Sequence, residues 1–224
     1  MEKSLGITNL PMLQGVSLLE MTTLCKQLSN HEHKFAEGDY IILQDETCNG
    51  LLSIIEGDFG IETTYFGGRF CMVEFISSPY TIEPDVLYGI QRRYQSSYRA
   101  QSPCRVLECP KNIVSELMSS NVVFQLNFLN LLSTLASRRR QAFPSSPTPS
   151  LEGKLAQFFF RLSTIPKGRK ELHTRMSDLA LFLGYSRPLV SESLHRMQVQ
   201  GLLNMRRGRI EIPDIESLMN NTFV

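Results

Sequence analysis

The chain has 224 residues, 42% of them apolar and 20% charged, and its formal net charge is +1. That length holds one large or two ordinary domains with a real core, and eleven prolines and fourteen glycines exclude collagen-like and wholly disordered chains. No apolar run approaches the about 18 residues of a membrane span, Met1-Glu2-Lys3-Ser4 lacks a signal-peptide core, and a near-zero charge argues against nucleic acid unless the charges are segregated. From the start of the chain, Leu18, Leu19, Met21, Leu24 and Leu28 recur at helical spacing behind Ser17, a candidate cap. Between about residues 35 and 109 the pattern changes to short β-like runs: Tyr40–Leu43, Leu51–Ile55, Phe70–Ile76 and Arg105–Cys109. Turn signals Glu37-Gly38-Asp39, Glu56-Gly57-Asp58 and Gly67-Gly68 separate them, which predicts a sandwich or roll-like barrel.

The five cysteines, Cys25, Cys48, Cys71, Cys104 and Cys109, are odd in number and scattered, as in a cytoplasmic chain with reduced thiols. Cys104 and Cys109 flank a strand and face opposite ways, so no metal or iron–sulfur site is expected there. A long helical stretch follows, from about Asn112 to Arg140, with Leu117, Phe124, Phe128, Leu131 and Leu135 on one flank and Leu126, Leu129 and Leu132 on another. A helix apolar on two sides needs two partners, so one flank is expected on the β domain and the other on a second copy. Phe124, Phe128, Leu131 and Leu135 are the expected dimer contacts; the alternative is a helix buried wholly within one subunit.

Phe143-Pro144-Ser145-Ser146-Pro147-Thr148-Pro149-Ser150 cannot continue a helix and is expected to be a hinge. Leu155, Phe158, Phe159 and Leu162 then mark a helix capped by Ser150. In Met176–Met197 the parts of a helix-turn-helix are in place. Ser177 is a candidate cap, Leu179, Ala180 and Leu183 face inward, and Gly184 suits the positive φ that ends a helix. Ser186 is the expected cap of the second helix, Pro188 stands in its first turn, and Val190, Leu194 and Met197 form its buried stripe. The outer face holds Arg187, Ser191 and Glu192, residue types that read base edges in a major groove. An ordinary helical hairpin with a polar surface would carry the same pattern. The β-hairpin beyond it, Gly201–Met205 and Ile210–Ile212 around Arg206-Arg207-Gly208-Arg209, reads as a basic wing. Phosphate contacts are expected from Arg206, Arg207 and Arg209, and from Arg175, Ser186 and His195.

At this point the chain resembles the Crp/Fnr family of bacterial transcription regulators. The resemblance rests on Leu179-Ala180, Gly184-Tyr185-Ser186-Arg187, Val190, Leu194 and Gly201-Leu202-Leu203, and on Phe35–Ile42 and Leu52–Asp58 in the first half. It implies an α+β chain: a jelly-roll-like β-roll sensor over residues 1–110, a dimerisation helix over 111–142, a hinge over 143–150 and a winged helix-turn-helix over 151–224. It implies a homodimer on two-fold-related double-stranded DNA, and RNA polymerase as a further partner. Pro188 stands where family members often have glutamate, Glu192 where many have a basic residue and Ser193 where an apolar one is usual, so the preferred DNA sequence should differ.

Cyclic-nucleotide-binding members carry Gly-Glu before a short helix and Arg-Ser/Thr-Ala about ten residues later. Here Ile82-Glu83-Pro84-Asp85 and Tyr94-Gln95-Ser96 stand in those places. Cyclic AMP is therefore not the expected effector, although Glu83, Arg92, Arg93 and Tyr94 could line a pocket for another ligand. An iron–sulfur cluster is not expected, and haem stays open, with His31 and His33 at no diagnostic spacing. No nucleophile–base pair, Walker loop or metal motif points to an enzyme. The alternative function is a ligand-binding regulator acting through protein contacts alone. Against it, residues 1–137 carry nine Lys/Arg and fifteen Asp/Glu, whereas residues 138–224 carry fourteen and seven. An acidic sensor joined to a basic reader explains the small net charge.

Overall fold

The computed structural model describes residues 5–28, 30–141 and 150–222. The chain forms two compact units, Met1–Gly60 with Ile76–Ser137, and Ile61–Phe75 with Arg138–Val224. A sequential division keeps residues 1–110 together. Strand pairing instead gives Ile61–Phe75 to the C-terminal unit. The expected hinge, apart from Ser150, lies outside the described residues.

The first unit begins with α1 (Leu5–Thr8), a 3-10 turn at Pro11–Leu13 and α2 (Leu18–Gln27). Ser17 and Glu20 cap α2 reciprocally, each side chain bonding the other's backbone N–H. The strands that follow along the chain are β1 (Glu32–Phe35), β2 (Tyr40–Ile42), β3 (Gly50–Glu56), β4 (Asp58–Tyr65), β5 (Phe70–Ser77), β6 (Tyr80–Thr81), β7 (Ser97–Ala100) and β8 (Cys104–Pro110), most of β4 and β5 belonging to the second unit. One antiparallel sheet runs β1-β8-β3-β6, and β2 pairs with β7 in the other layer of the roll. Phe59, Tyr80 and Tyr98 pack ring to ring inside it. The turn from β3 to β4 requires Gly57: its φ is +104°, and a Cβ would stand 2.6 Å from the Pro103 carbonyl oxygen.

The expected single long helix is two helices, α3 (Lys111–Ser120) and α4 (Val122–Gln141). Asn121 breaks the run with extended backbone (φ −124°, ψ 104°) and restarts it, its Oδ1 accepting the Phe124 N–H at 2.9 Å. Its amide also donates to Glu20 at 2.7 Å, so the break is anchored against α2. Phe124 and Phe128, expected at a dimer interface, are instead buried within their own unit and stack on each other at 6.1 Å. Phe124 lies with Leu13, Leu24 and Leu28 over Leu51 and Leu107 of the roll. Leu131 and Leu135 are half-buried.

The second unit comprises the β4–β5 hairpin, α5 (Leu151–Leu162), β9 (Lys170–Thr174), α6 (Met176–Leu183), α7 (Arg187–Val199), β10 (Asn204–Arg206), β11 (Arg209–Ile212) and α8 (Ile215–Thr222). Its sheet runs β10-β11-β9-β5-β4. Phe70 pairs with Thr174, Met72 with Leu172 and Glu74 with Lys170, so the hairpin extends the sheet of the wing. Ser150 caps α5, accepting the Gly153 N–H. One core joins Phe70 and Met72 of the hairpin to Phe159, Leu172, Leu179, Val190, Leu194 and Ile212. Among the described residues, no helix is long and apolar enough to cross a membrane, and no cluster of His, Cys, Asp or Glu is placed to hold a metal ion.

Candidate nucleic-acid interface

Helix α6 ends at Gly184, which has φ +74°. Gly184 N–H reaches the Leu181 carbonyl and Tyr185 N–H the Ala180 carbonyl, a Schellman closure that turns the chain sharply into α7. Ser186 is extended at the α7 N-cap, but its side chain makes no capping bond. Val190, Leu194 and Met197 are buried, while Arg187, Glu192 and His195 are exposed and Ser191 is half-buried. One local expectation is corrected. α6 starts at Met176 with Arg175 at its N-cap, not behind Ser177, because the Arg175 carbonyl already accepts the Asp178 and Leu179 N–H groups.

Buried Ser193 has a role that sequence did not supply. Its hydroxyl accepts from Arg196 at 2.9 Å, and Arg196 also reaches Glu152 on α5 and Glu192 on its own helix. Burial alone would raise the Glu152 carboxyl, but its backbone hydrogen bond, Arg196 and Ser193 together hold it below its ordinary value. The recognition helix is thereby fastened to α5, and Glu192 is held by Arg196 while still exposed. The Glu192–Arg196 spacing of four is the signal that could have revealed the pair.

The wing turn is Arg207-Gly208, with Gly208 at φ +74° and Arg206 paired to Arg209. Its three arginines are not equivalent. Arg206 pairs with Glu211 at 3.0 Å, and Arg209 pairs with both Glu211 at 2.6 Å and Glu171 at 3.3 Å. Arg209 is half-buried and its charge is met locally. Arg207 is exposed at the tip and has no carboxylate partner among the described residues. Arg175, Arg187 and His195 are also exposed on this unit.

In the first unit, Glu83 is 8% exposed and adopts φ +33°, a conformation that disfavours side chains. Its carboxylate accepts the consecutive N–H groups of Gln95 (2.7 Å) and Ser96 (3.0 Å) and the Tyr98 hydroxyl (3.3 Å). Burial pushes this carboxyl above its ordinary value despite those bonds. The four expected pocket residues do not converge. Arg92 and Arg93 line an outer hollow with Thr47 and Ile90, and Arg93 donates to the Asp45 carbonyl at 2.7 Å. Tyr94 is buried and borders a different cavity, of about 250 Å³, with His33, Glu46 and Glu108.

Residues 153–220 match the Crp-like helix-turn-helix domain, and residues 32–121 match the cyclic nucleotide-binding domain, together more than two thirds of the chain. The chain belongs to the Crp/Fnr-type DNA-binding transcription regulators. Its fold is similar to that of a Crp/Fnr-family regulator from Eubacterium rectale, at 20% identity over 94% of this chain and 98% of that one, with a TM-score of 0.52. It is also similar to the catabolite activator protein of Thermus thermophilus (18% identity, 95% of this chain and 97% of that one, TM-score 0.47). DNR from Pseudomonas aeruginosa is comparable (17% identity, 96% of each chain, TM-score 0.47). The sequence matches no curated protein.

In this Crp/Fnr-type regulator the exposed apolar stripe of α4 is Val122, Leu126 and Leu129, 66%, 55% and 47% exposed. Their spacing of four and three places them on one face of the helix. Sequence alone showed both flanks of this helix but not which one the roll covers.

Proposed function

We propose that this regulator acts as a cytoplasmic homodimer that reads a two-fold-related operator. The single observation that carries the reading is the outer face of α7. Arg187 stands exposed in its first turn, directly after the Gly184 turn and with its buried stripe intact. Arg187, Ser191 and Glu192 are the base-reading residues of the proposal. Arg175, Ser186, His195, Arg206 and Arg207 meet phosphates and fix the register. The two chains join through Val122, Leu126 and Leu129, with Leu131 and Leu135 at the border.

The sensor domain answers to a small molecule other than cyclic AMP. Two adjacent N–H groups and a hydroxyl make an anion cradle, and the Glu83 carboxylate already fills it. The same cradle therefore offers a nucleotide phosphate no free donors. Footprinting on promoter DNA, including the regulator's own upstream region, tests the function. Protection of a two-fold-related site by a folded dimer is the expected result, and equal affinity for all sequences would refute it.

A further inference from the structure

The tip of the β4–β5 hairpin, Gly67-Gly68-Arg69, comes from the first half of the sequence yet belongs to the C-terminal unit. Its position there is fixed by several independent contacts. Phe66 packs on Phe182 of α6 at 4.8 Å and on Phe70 at 5.8 Å, and Phe70 packs on Phe158 at 5.1 Å. Tyr65 donates its hydroxyl to the Leu162 carbonyl at 2.9 Å. Thr174 joins the two turns: its hydroxyl donates to the Arg69 carbonyl, and its N–H to the carbonyl of Gly208 in the wing, each at 3.1 Å.

These contacts make an open groove of about 470 Å³ whose walls include Arg69, His173, Arg175, Asp178 and Gly208. Arg69 and Arg175 are exposed, and neither has a carboxylate partner among the described residues. Asp178 is the one carboxylate of the groove. Arg207 follows directly along the wing turn. Gly67 and Gly68 have open space where side chains would stand, so the hairpin tip presents Arg69 without bulky neighbours.

We propose that Arg69 is a further DNA-backbone contact, bonding a phosphate oxygen beside those met by Arg175 and the wing. The hairpin then serves as a second wing, and the DNA-reading surface includes a residue more than 80 positions before the helix-turn-helix-domain match begins. A guanidinium suits this task, since it can grip a phosphate with two parallel bonds. The proposal rests on the DNA-binding reading of the C-terminal unit.

The test uses the full-length protein with Arg69→Ala and Arg69→Lys, each checked for an unchanged melting temperature. For Arg69→Ala, operator and random DNA should be weakened by the same factor. The slope of log affinity against log salt should become shallower by about 0.9 per chain. Arg69→Lys should keep the slope. Phosphate-ethylation interference should show one contact per half-site lost in Arg69→Ala. An unchanged slope and interference pattern, with the wild type still binding its operator, would overturn this proposal alone. A loss confined to operator DNA would also overturn it. Failure of the wild type to bind any DNA would overturn the underlying reading as well.

Discussion

Glu74 of the hairpin and Lys170 of β9 meet at 3.0 Å with neither side chain reaching solvent. Both partners have further hydrogen bonds: Glu74 also accepts the Thr164 and Ile165 N–H groups, and Lys170 donates to the Lys167 carbonyl at 2.7 Å. Two charges taken out of water are tolerable only with such partners. The pair therefore specifies which strand β5 accepts, at the point where the register Glu74–Lys170 closes the pairing.

Removing one partner leaves a buried charge alone. Glu74→Ala or Lys170→Met should each cost about 3–5 kcal/mol in urea unfolding, and the double variant Glu74→Leu with Lys170→Met should recover much of that loss. A double variant that loses the sum of the two single losses would show that the pair is not coupled.

This pairing marks where sequence stops being informative. The helix-turn-helix was legible because its signals are local: Gly184 for the turn, Ser186-Arg187-Pro188 for the helix start, Val190, Leu194 and Met197 for the buried stripe. Strand β9, Lys-Glu-Leu-His-Thr, has one apolar residue in five and no β signature, and its partner lies about 100 residues earlier. Only tertiary pairing makes it a strand. The break at Asn121 had a weak local signal, since Ser119-Ser120-Asn121 are poor helix-interior residues and Asn is a strong cap. Glu83 had none: nothing in Ile82-Glu83-Pro84 announces a left-handed backbone or a carboxylate turned onto Gln95 and Ser96.

Glu83 yields the second prediction. Glycine relieves the positive φ and removes the internal anion, so Glu83→Gly should bind cyclic AMP or inorganic phosphate measurably in calorimetry, where the wild type does not. Tight binding of cyclic AMP by the wild type would sink the internal-anion account. The sign of the pH effect follows from the raised carboxyl. Its folded value lies above the ordinary 4.5, so the native state holds the proton longer than the unfolded one. Its contribution to stability is therefore present below 4.5 and is lost as pH rises through the folded value. Glu83→Gln should abolish that component of the unfolding profile.

The two flanks of α4 should separate by experiment. Leu126→Glu places a charge on the exposed stripe and should shift the protein toward monomers in sedimentation while leaving its fold intact. Phe128→Ala removes a ring that is 1% exposed, and should cost about 3–5 kcal/mol of stability without a direct effect on assembly. A monomeric Phe128→Ala beside a dimeric Leu126→Glu would reverse the assignment.

The arginines of the reader unit should divide into three kinds. Arg187→Ala should weaken operator binding by about 1–3 kcal/mol and relax preference at one base position, with little effect on random DNA. Arg207→Ala should weaken both equally and flatten the salt slope by about one per chain. Arg209→Ala should leave DNA affinity nearly unchanged, because its guanidinium is already engaged by Glu171 and Glu211. Its effect should appear in acid stability instead. Burial alone would raise the Glu171 carboxyl, but hydrogen bonds from His173 and Arg169 and the charges of Arg209 and Arg169 bring it below its ordinary 4.5. A carboxyl lowered in the folded state contributes stability above 4.5 that is lost as pH falls toward the folded value. Without Arg209 that lowering is smaller, so the difference in unfolding free energy between wild type and Arg209→Ala should narrow as pH drops below 4.5. Parallel acid limbs for the two proteins would show that Arg209 does not stabilise Glu171.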